Sequence, residues 1–252
     1  MVITQEAVTR MARSSAASAP ESGENVDPPE LKVRGLSVAY GDLRILDGVD
    51  FEVATGGLVA LVGENGTGKS TLVRCIAGDI VPDAGEVALN GARVRSNAAA
   101  AAAGLAVVWQ DAALCDNLDV ASNLFLGRER GRWFTSDDKN ILATKAILAA
   151  YGIKLDSARR VHSLSAGQRQ LLAVVRAMQT RPQLLVLDEP TASLGVQETR
   201  QVEELIMKLN AAGTTTLLVS HDVDQVFRLA DRILVLHRGR IAADLLPSQS
   251  DS

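Results

Sequence analysis

The residues Gly63-Glu64-Asn65-Gly66-Thr67-Gly68-Lys69-Ser70-Thr71 complete the pattern G-x-x-x-x-G-K-[ST], whose chemistry is the cradling of phosphate. Glycines at 63, 66 and 68 are expected to take backbone angles closed to other residues and turn successive N–H groups inward as an anion nest. Lys69 is placed to reach the β- and γ-phosphates of a nucleotide, and the Ser70 hydroxyl to ligate Mg²⁺. Further along, Asp188-Glu189 and His221 each follow an apolar run. Carboxylates in such a position suit a metal ligand, Asp188, and a base that polarises water, Glu189. An imidazole there suits contact with a γ-phosphate.

These residues need particular elements to bring them together. Leu58 to Val62 reads as a strand entering the loop, and Thr71 to Ala77 as a helix leaving it, the strand, loop, helix context of a phosphate-binding turn. The helix start adds N–H groups and a positive dipole end. Leu184 to Leu187 is a continuous apolar run, as in a parallel strand buried on both faces, and Thr214 to Val219 is another. In an open parallel sheet, ligands gather at the carboxyl ends of strands, so Asp188, Glu189 and His221 are expected beside the loop. Ser165 and Gln168, in Ser163-Leu164-Ser165-Ala166-Gly167-Gln168, form a capping box. That helix start is also a second candidate anion site.

The remaining segments are read from periodicity and turn chemistry. Leu31 to Val53 alternates in the manner of antiparallel strands broken at Gly35, Gly41 and Gly48. Tyr40 ends one of them, where an aromatic either packs or stacks on a nucleotide base. Pro82 to Gly85 reads as a turn, and Glu86 to Val94 as a hairpin around Asn90-Gly91. Asn97 is expected to cap the alanine run Ala98 to Ala103, which Gly104 stops. Leu105 to Trp109 is a short strand that delivers Gln110 at its end. Asp119 opens a helix with Leu124 and Leu126 on its inner side. Ser136 to Ala150 forms another, closed by Gly152, with a charged connection Arg128 to Arg132 between the two. A helix from Gln197 to Asn210 stops at Gly213, and Asp231 to Asp244 forms a last hairpin around Gly239.

Taken whole, 252 residues that are 47% hydrophobic suffice for one α/β domain with a subdomain. A net charge of −4 without a basic stripe argues against a nucleic-acid surface. Cys75 and Cys115 lack metal or disulfide spacing and are expected to be core thiols. No apolar run is long enough to span a membrane, and the N-terminus lacks the apolar segment of a secretory signal. Residues 1–29 and 247–252 are rich in small and polar residues and are expected to be tails around a domain over 30–246, with a helical subdomain over about 111–168.

In this order, Tyr40, the loop 63–71, Gln110, Leu164-Ser165-Ala166-Gly167-Gln168, Asp188-Glu189 and His221 resemble the motif set of an ATP-binding cassette (ABC) ATPase. The resemblance implies a P-loop NTPase fold with a mostly parallel core sheet, an antiparallel β subdomain and an inserted α-helical subdomain. It implies ATP and Mg²⁺ as ligands, Tyr40 as the base-stacking aromatic, and Gln110 as the glutamine that joins Ser70 and Asp188 at the metal and Glu189 and His221 in catalysis. The stretches 108–118 and 123–129 are similar to the sugar-import branch, in single-cassette form. That implies a second copy of the chain, with two ATPs held between the loop of one copy and the Ser165 helix start of the other. It also implies integral-membrane permease subunits at the cytoplasmic face of the cell membrane and, indirectly, a sugar-binding protein. Two departures stand out: Ala166 where glycine is common, and Gly195 where most cassettes carry aspartate. The other readings are a nucleotide-switched regulatory or binding module with little hydrolysis, and the ATPase of an exporter.

Overall fold

The structure, a computed structural model, describes residues 30–127 and 137–247. The expected tail over 1–29, all but Pro247 of the expected tail over 247–252, the charged connection at Arg128 to Arg132, and Ser136 lie outside the described residues. The chain divides into two compact units: 1–107 with 183–189 and 209–252, and 108–182 with 190–208.

The first unit carries two sheets. β1 (Leu31–Tyr40) pairs antiparallel with β2 (Leu43–Val53) and with β4 (Ala84–Leu89), and β5 (Ala92–Arg93) closes a four-stranded order β2-β1-β4-β5. Gly35 and Gly48, expected to break strands, instead sit inside β1 and β2 with φ of 54° and 63°, at two shifts of register. A glycine in left-handed conformation lets a strand absorb an extra residue as a bulge and continue, so two long strands replace several short ones. At the β4–β5 turn, Asn90 and Gly91 have φ of 49° and 76°, the geometry of a type I′ hairpin.

The second sheet runs β10-β9-β3-β8-β7-β6. β3 (Leu58–Val62) lies between β8 (Thr215–Ser220) and β9 (Arg232–His237), parallel to both, and β7 (Leu184–Asp188) is parallel to β8. β6 (Leu105–Val108) and β10 (Arg240–Leu245) are the edges, with β10 antiparallel to β9. Every residue of β3, β7 and β8 is buried, which is why Leu58–Val62, Leu184–Leu187 and Leu217–Val219 read as apolar runs. α1 (Lys69–Ala77) begins two residues ahead of the expected Thr71. α2 (Asn97–Ala102) is capped by Ser96, whose hydroxyl accepts from the Ala99 N–H at 3.3 Å; the expected cap, Asn97, instead lies in the first turn and donates to Asp79. α7 (Val223–Leu229) follows β8 and is capped by Asp222.

The second unit is helical. It contains α3 (Val120–Phe125), α4 (Asp137–Ala150), α5 (Ala166–Met178) and the first turns of α6 (Val196–Ala211). α3 packs on both α4 and α5, burying Val120, Leu124, Leu148, Leu172 and Val174. Asp119 caps α3 by accepting from Ser122 N–H at 2.7 Å. Asn123, fully buried, donates to the Cys115 and Asp119 carbonyls and accepts from the Cys115 N–H at 2.8 Å, so it pins the preceding loop to the helix. Leu126 is not on the inner side; α3 ends at Phe125 and the chain turns extended there, leaving Leu126 43% exposed. Cys75 is buried, and burial pushes its thiol up to about 11, but Cys115 is exposed rather than a core thiol because its loop lies at the surface.

The hairpin β9–β10 meets β2 through backbone and side chains: the Asp47 N–H donates to the Gly239 carbonyl at 2.9 Å, Arg240 pairs with the Asp47 carboxylate, and Arg232 donates to the Glu52 carbonyl at 2.8 Å. Gly239 has φ of 74°, and a β-carbon there would lie 2.4 Å from the Ile45 carbonyl oxygen. Gly239→Ala is therefore expected to cost about 2–4 kcal/mol, read as a lower urea midpoint at unchanged slope.

Candidate functional site

The phosphate-type loop lies between β3 and α1 in the first unit. Its crest, Glu64-Asn65-Gly66, is exposed, while Gly63, Thr67, Gly68 and Lys69 are buried and Ser70 and Thr71 open toward solvent at the helix start. Thr67 tightens the turn, its hydroxyl donating to the Glu64 carbonyl at 2.9 Å. Gly66 and Gly68 have positive φ, as expected, but Gly63 does not. Gly63 is required for space: a β-carbon there would sit 2.5 Å from the Leu236 carbonyl oxygen of β9 and 2.7 Å from the Thr67 hydroxyl. Gly68, at φ 106°, is the N-cap of α1, and no side chain caps that helix. The first N–H groups of α1 are thus left to an external acceptor.

Lys69 crosses the loop. Its Nζ donates to the Gly63 carbonyl at 2.8 Å and the Glu64 carbonyl at 3.1 Å, and lies 3.9 Å from Glu189 Oε1. Asp188 and Glu189 end β7, and His221 follows β8; both strands are in the run of neighbours that includes β3. The structure therefore brings the loop, the two acids and the imidazole together at adjacent carboxyl ends. His221 Nδ1 is 3.1 Å from Glu189 Oε2. Glu189 leaves β7 with φ of 49°, uncommon for a residue with a side chain, while its N–H still donates to the Val219 carbonyl at 2.9 Å. Strain of that kind concentrates at sites where a side chain must be aimed, and nothing in the sequence signals it.

Burial dominates the electrostatics. Desolvation lowers the proton affinity of the Lys69 ammonium, while the charges of Glu189 and Asp188 oppose that effect. Asp188, 6% exposed, has its carboxyl raised by burial and by the neighbouring Glu189, against the lowering influence of Lys69 and Arg74. Tyr40 stands 53% exposed at the end of β1, in the other sheet of the same unit.

The second unit holds the rest. Gln110 follows β6 and is exposed. Ser165 caps α5 with both halves of the box present: its hydroxyl accepts from the Gln168 N–H at 3.2 Å, and its own N–H donates to Gln168 Oε1 at 3.1 Å. Ser165 and Ala166 are exposed and Gly167 is buried. One residue absent from the sequence reading joins them. Glu198, in the first turn of α6, accepts from the Gly195 N–H at 3.4 Å and lays its side chain against Gly167 at the α5 start. Its only sequence signal is an acid three residues after Gly195, half of a capping box.

A family model described as ABC transporter matches residues 46–192. The chain is 40% identical over 224 residues to the fructose import ATP-binding protein of Rhizobium meliloti, covering 84% of this chain and 86% of that one. It is 39% identical over 215 residues to the xylose/arabinose import ATP-binding protein of Sulfolobus acidocaldarius, with coverage of 84% and 86%. Its structure is similar to that of a Clostridium perfringens protein that is part of an ABC transporter complex, with a TM-score of 0.77 and 26% identity over 88% of this chain and 90% of that one.

Because burial raises Asp188, the folded chain binds that proton more tightly than the unfolded chain does. The associated stability is present at acidic pH, below the unfolded value, and is lost as pH rises through the folded-state value. At neutral pH the ionised carboxylate is a burden on the fold. Asp188→Asn is expected to raise the urea midpoint near neutral pH, with the gain shrinking toward the ordinary Asp value of about 4; equilibrium unfolding across pH measures both.

Proposed function

Since the chain belongs to the ABC transporter family, we propose that it is the ATP-hydrolysing subunit that energises import of a carbohydrate through a partner membrane permease. The observation that carries this reading is the gathering of Lys69, Asp188, Glu189 and His221 at neighbouring strand ends around an uncapped helix start. Identity of 39–40% to proteins named for fructose and for xylose and arabinose import supports a sugar as the cargo.

In this reading the N–H groups of the loop and of α1 receive the phosphates of ATP, and Lys69, already buried beside them, supplies a compensating charge. Tyr40, exposed and free of the core, stacks on the base. The first unit's residues fit Mg²⁺: the Ser70 hydroxyl and the Asp188 carboxylate are hard oxygen donors, and a carboxylate raised by burial is one that a divalent cation would hold ionised; that Gln110 adds its amide oxygen is what the resemblance implies. When bound, the ion neutralises charge developing on the phosphate oxygens.

Glu189 accepts a proton from the attacking water as the water oxygen bonds to the γ-phosphorus and the bond to the β-phosphate oxygen breaks, giving ADP and phosphate. His221 holds Glu189 from one side and Lys69 lies on the other, so the carboxylate is aimed before ATP arrives. The chain has two anion-receptive helix starts, α1 in one unit and α5 in the other. Two copies with two ATPs between them use both, each ATP meeting the Ser165 to Gln168 turn of the other copy. No helix among the described residues is long and apolar enough to cross a membrane; attachment to the cytoplasmic face through a permease is part of the proposal and rests on the likeness to import ATP-binding proteins.

Glu189→Gln is expected to lower steady-state hydrolysis by about a hundredfold or more while leaving ATP binding intact, measured on the chain reconstituted with its permease. Substantial turnover by that variant would overturn the role of Glu189. In the same preparation, a sugar-loaded binding protein is expected to stimulate hydrolysis; turnover that responds to no such protein would overturn the import reading.

A further inference from the structure

The start of α5 is already filled by an acid of the same chain. Glu198 Oε2 accepts from the Gly195 N–H at 3.4 Å, and the same side chain lies against Gly167 at the α5 start, where the Ser165 hydroxyl and the Gly167 N–H draw on its carboxylate. The approach is close: a β-carbon on Gly167 would lie 2.7, 2.8 and 2.9 Å from Cβ, Cγ and Cδ of Glu198. Gly167 does not have positive φ, so the absence of a side chain there serves the approach of Glu198 rather than the backbone angle. The three donors come from two helix starts, Ser165 and Gly167 from α5 and Gly195 from α6. Gly195 is the N-cap of α6, its carbonyl accepting from the Thr199 N–H at 2.9 Å. The nearby Ser165 hydroxyl, first, and the Gly195 and Gly167 N–H groups hold the Glu198 carboxyl below the usual carboxylate range, which keeps it charged where both helix dipoles favour an anion.

A γ-phosphate delivered by a second copy would need the same Ser165 hydroxyl and Gly167 N–H. Two anions cannot share those donors, because each hydroxyl or N–H has one proton to give and like charges at that distance repel. We propose that Glu198 is a resident stand-in for phosphate: it occupies the α5 start while the copies are apart and is displaced when ATP brings them together. This rests on the paired-cassette reading above. Glu198 then sets the ATP concentration at which pairing occurs, and by retaking Ser165 and Gly167 once phosphate has left it favours separation. It is a positioning residue and touches no reacting atom.

The test is ATP-dependent pairing of the full chain in excess Mg²⁺, followed by sedimentation velocity, with hydrolysis blocked by Glu189→Gln. Adding Glu198→Gln removes the charge and keeps the shape; Glu198→Ala serves as a second variant, and urea unfolding verifies that both fold. Each is expected to lower the ATP concentration for half-maximal pairing by about two- to fivefold, the size of one charge at a helix N-terminus. Ser165→Ala in the same background is expected to raise it, since a phosphate donor is lost. Loss of a merely structural contact would weaken pairing rather than strengthen it. Pairing that is unchanged or weakened by both Glu198 variants, in a chain whose Glu189→Gln form does pair, would overturn the latch alone. A Glu189→Gln form that stays monomeric with ATP would overturn the paired-cassette reading and the latch with it.

Discussion

The ammonium of Lys69 is the charge around which the first unit is arranged. At 6% exposure it has lost most of its hydration, a cost that must be met locally. Two loop carbonyls, those of Gly63 and Glu64, accept two of its protons. Glu189 lies at 3.9 Å, and the charge of Asp188 is also felt. For those carbonyls to face Lys69, the loop must fold back over the end of β3, and that brings Gly63 against the backbone of β9 with no room for a side chain. For Glu189 to reach the same place, the chain must leave β7 in a left-handed conformation. Each local oddity is thus a consequence of one buried cation and the parallel strands that end beside it.

The arrangement also explains why the two strand-end acids suit different tasks. Asp188 lies within the sheet layer and carries a raised proton affinity, because the cations near it do not fully offset its burial. Glu189 is one residue further out, with His221 at 3.1 Å and 14% of its side chain exposed. A deeper acid with surplus charge suits a metal, and a shallower acid with an orienting imidazole suits a proton acceptor. Function therefore draws on the stability supplied by the apolar strands, all of whose residues are buried.

Much of this was legible from the residues, for identifiable reasons. A strand buried on both faces is mostly apolar, so β3, β7 and β8 could be placed, and the chemistry at their ends followed from their being parallel. The Ser165–Gln168 box was legible because both its partners are local. Gly35 and Gly48 were misread because a glycine that breaks a strand and one that lets it bulge look alike until the partner strand is known. Ser96 and Asn97 are adjacent residues of equal capping ability, and only the backbone decides between them. Cys115 lies in an apolar-looking stretch whose loop is held at the surface by Asn123. Glu198 was missed because its neighbours at 165 and 167 lie in another helix, with β7 between them in the chain, so the local pattern at 195–198 announces only half a capping box.

The two helix starts in question are treated in opposite ways, and Gly195 shows why that is consistent. The start of α1 has a glycine N-cap and no side chain to satisfy it, so it stays receptive. The start of α5 is boxed by its own Gln168 and also occupied by Glu198. The resemblance to ATP-binding cassettes sets Gly195 against an aspartate in most of them, a position where the sugar-import branch is substituted. Nothing steric forbids it: no atom lies within 4 Å of a β-carbon at 195, and its φ is not positive. An aspartate there would be an N-cap acid whose carboxylate is drawn to the same N–H groups at the start of α6 that favour Glu198, one turn away. Two acids at one helix start repel, and the one with freedom to leave is Glu198. Glycine at 195 removes the competitor and leaves an N–H that donates to Glu198. The departure from the usual pattern at 195 and the acid seated at 198 are therefore parts of one electrostatic arrangement, with the aspartate's absence keeping the α5 start closed.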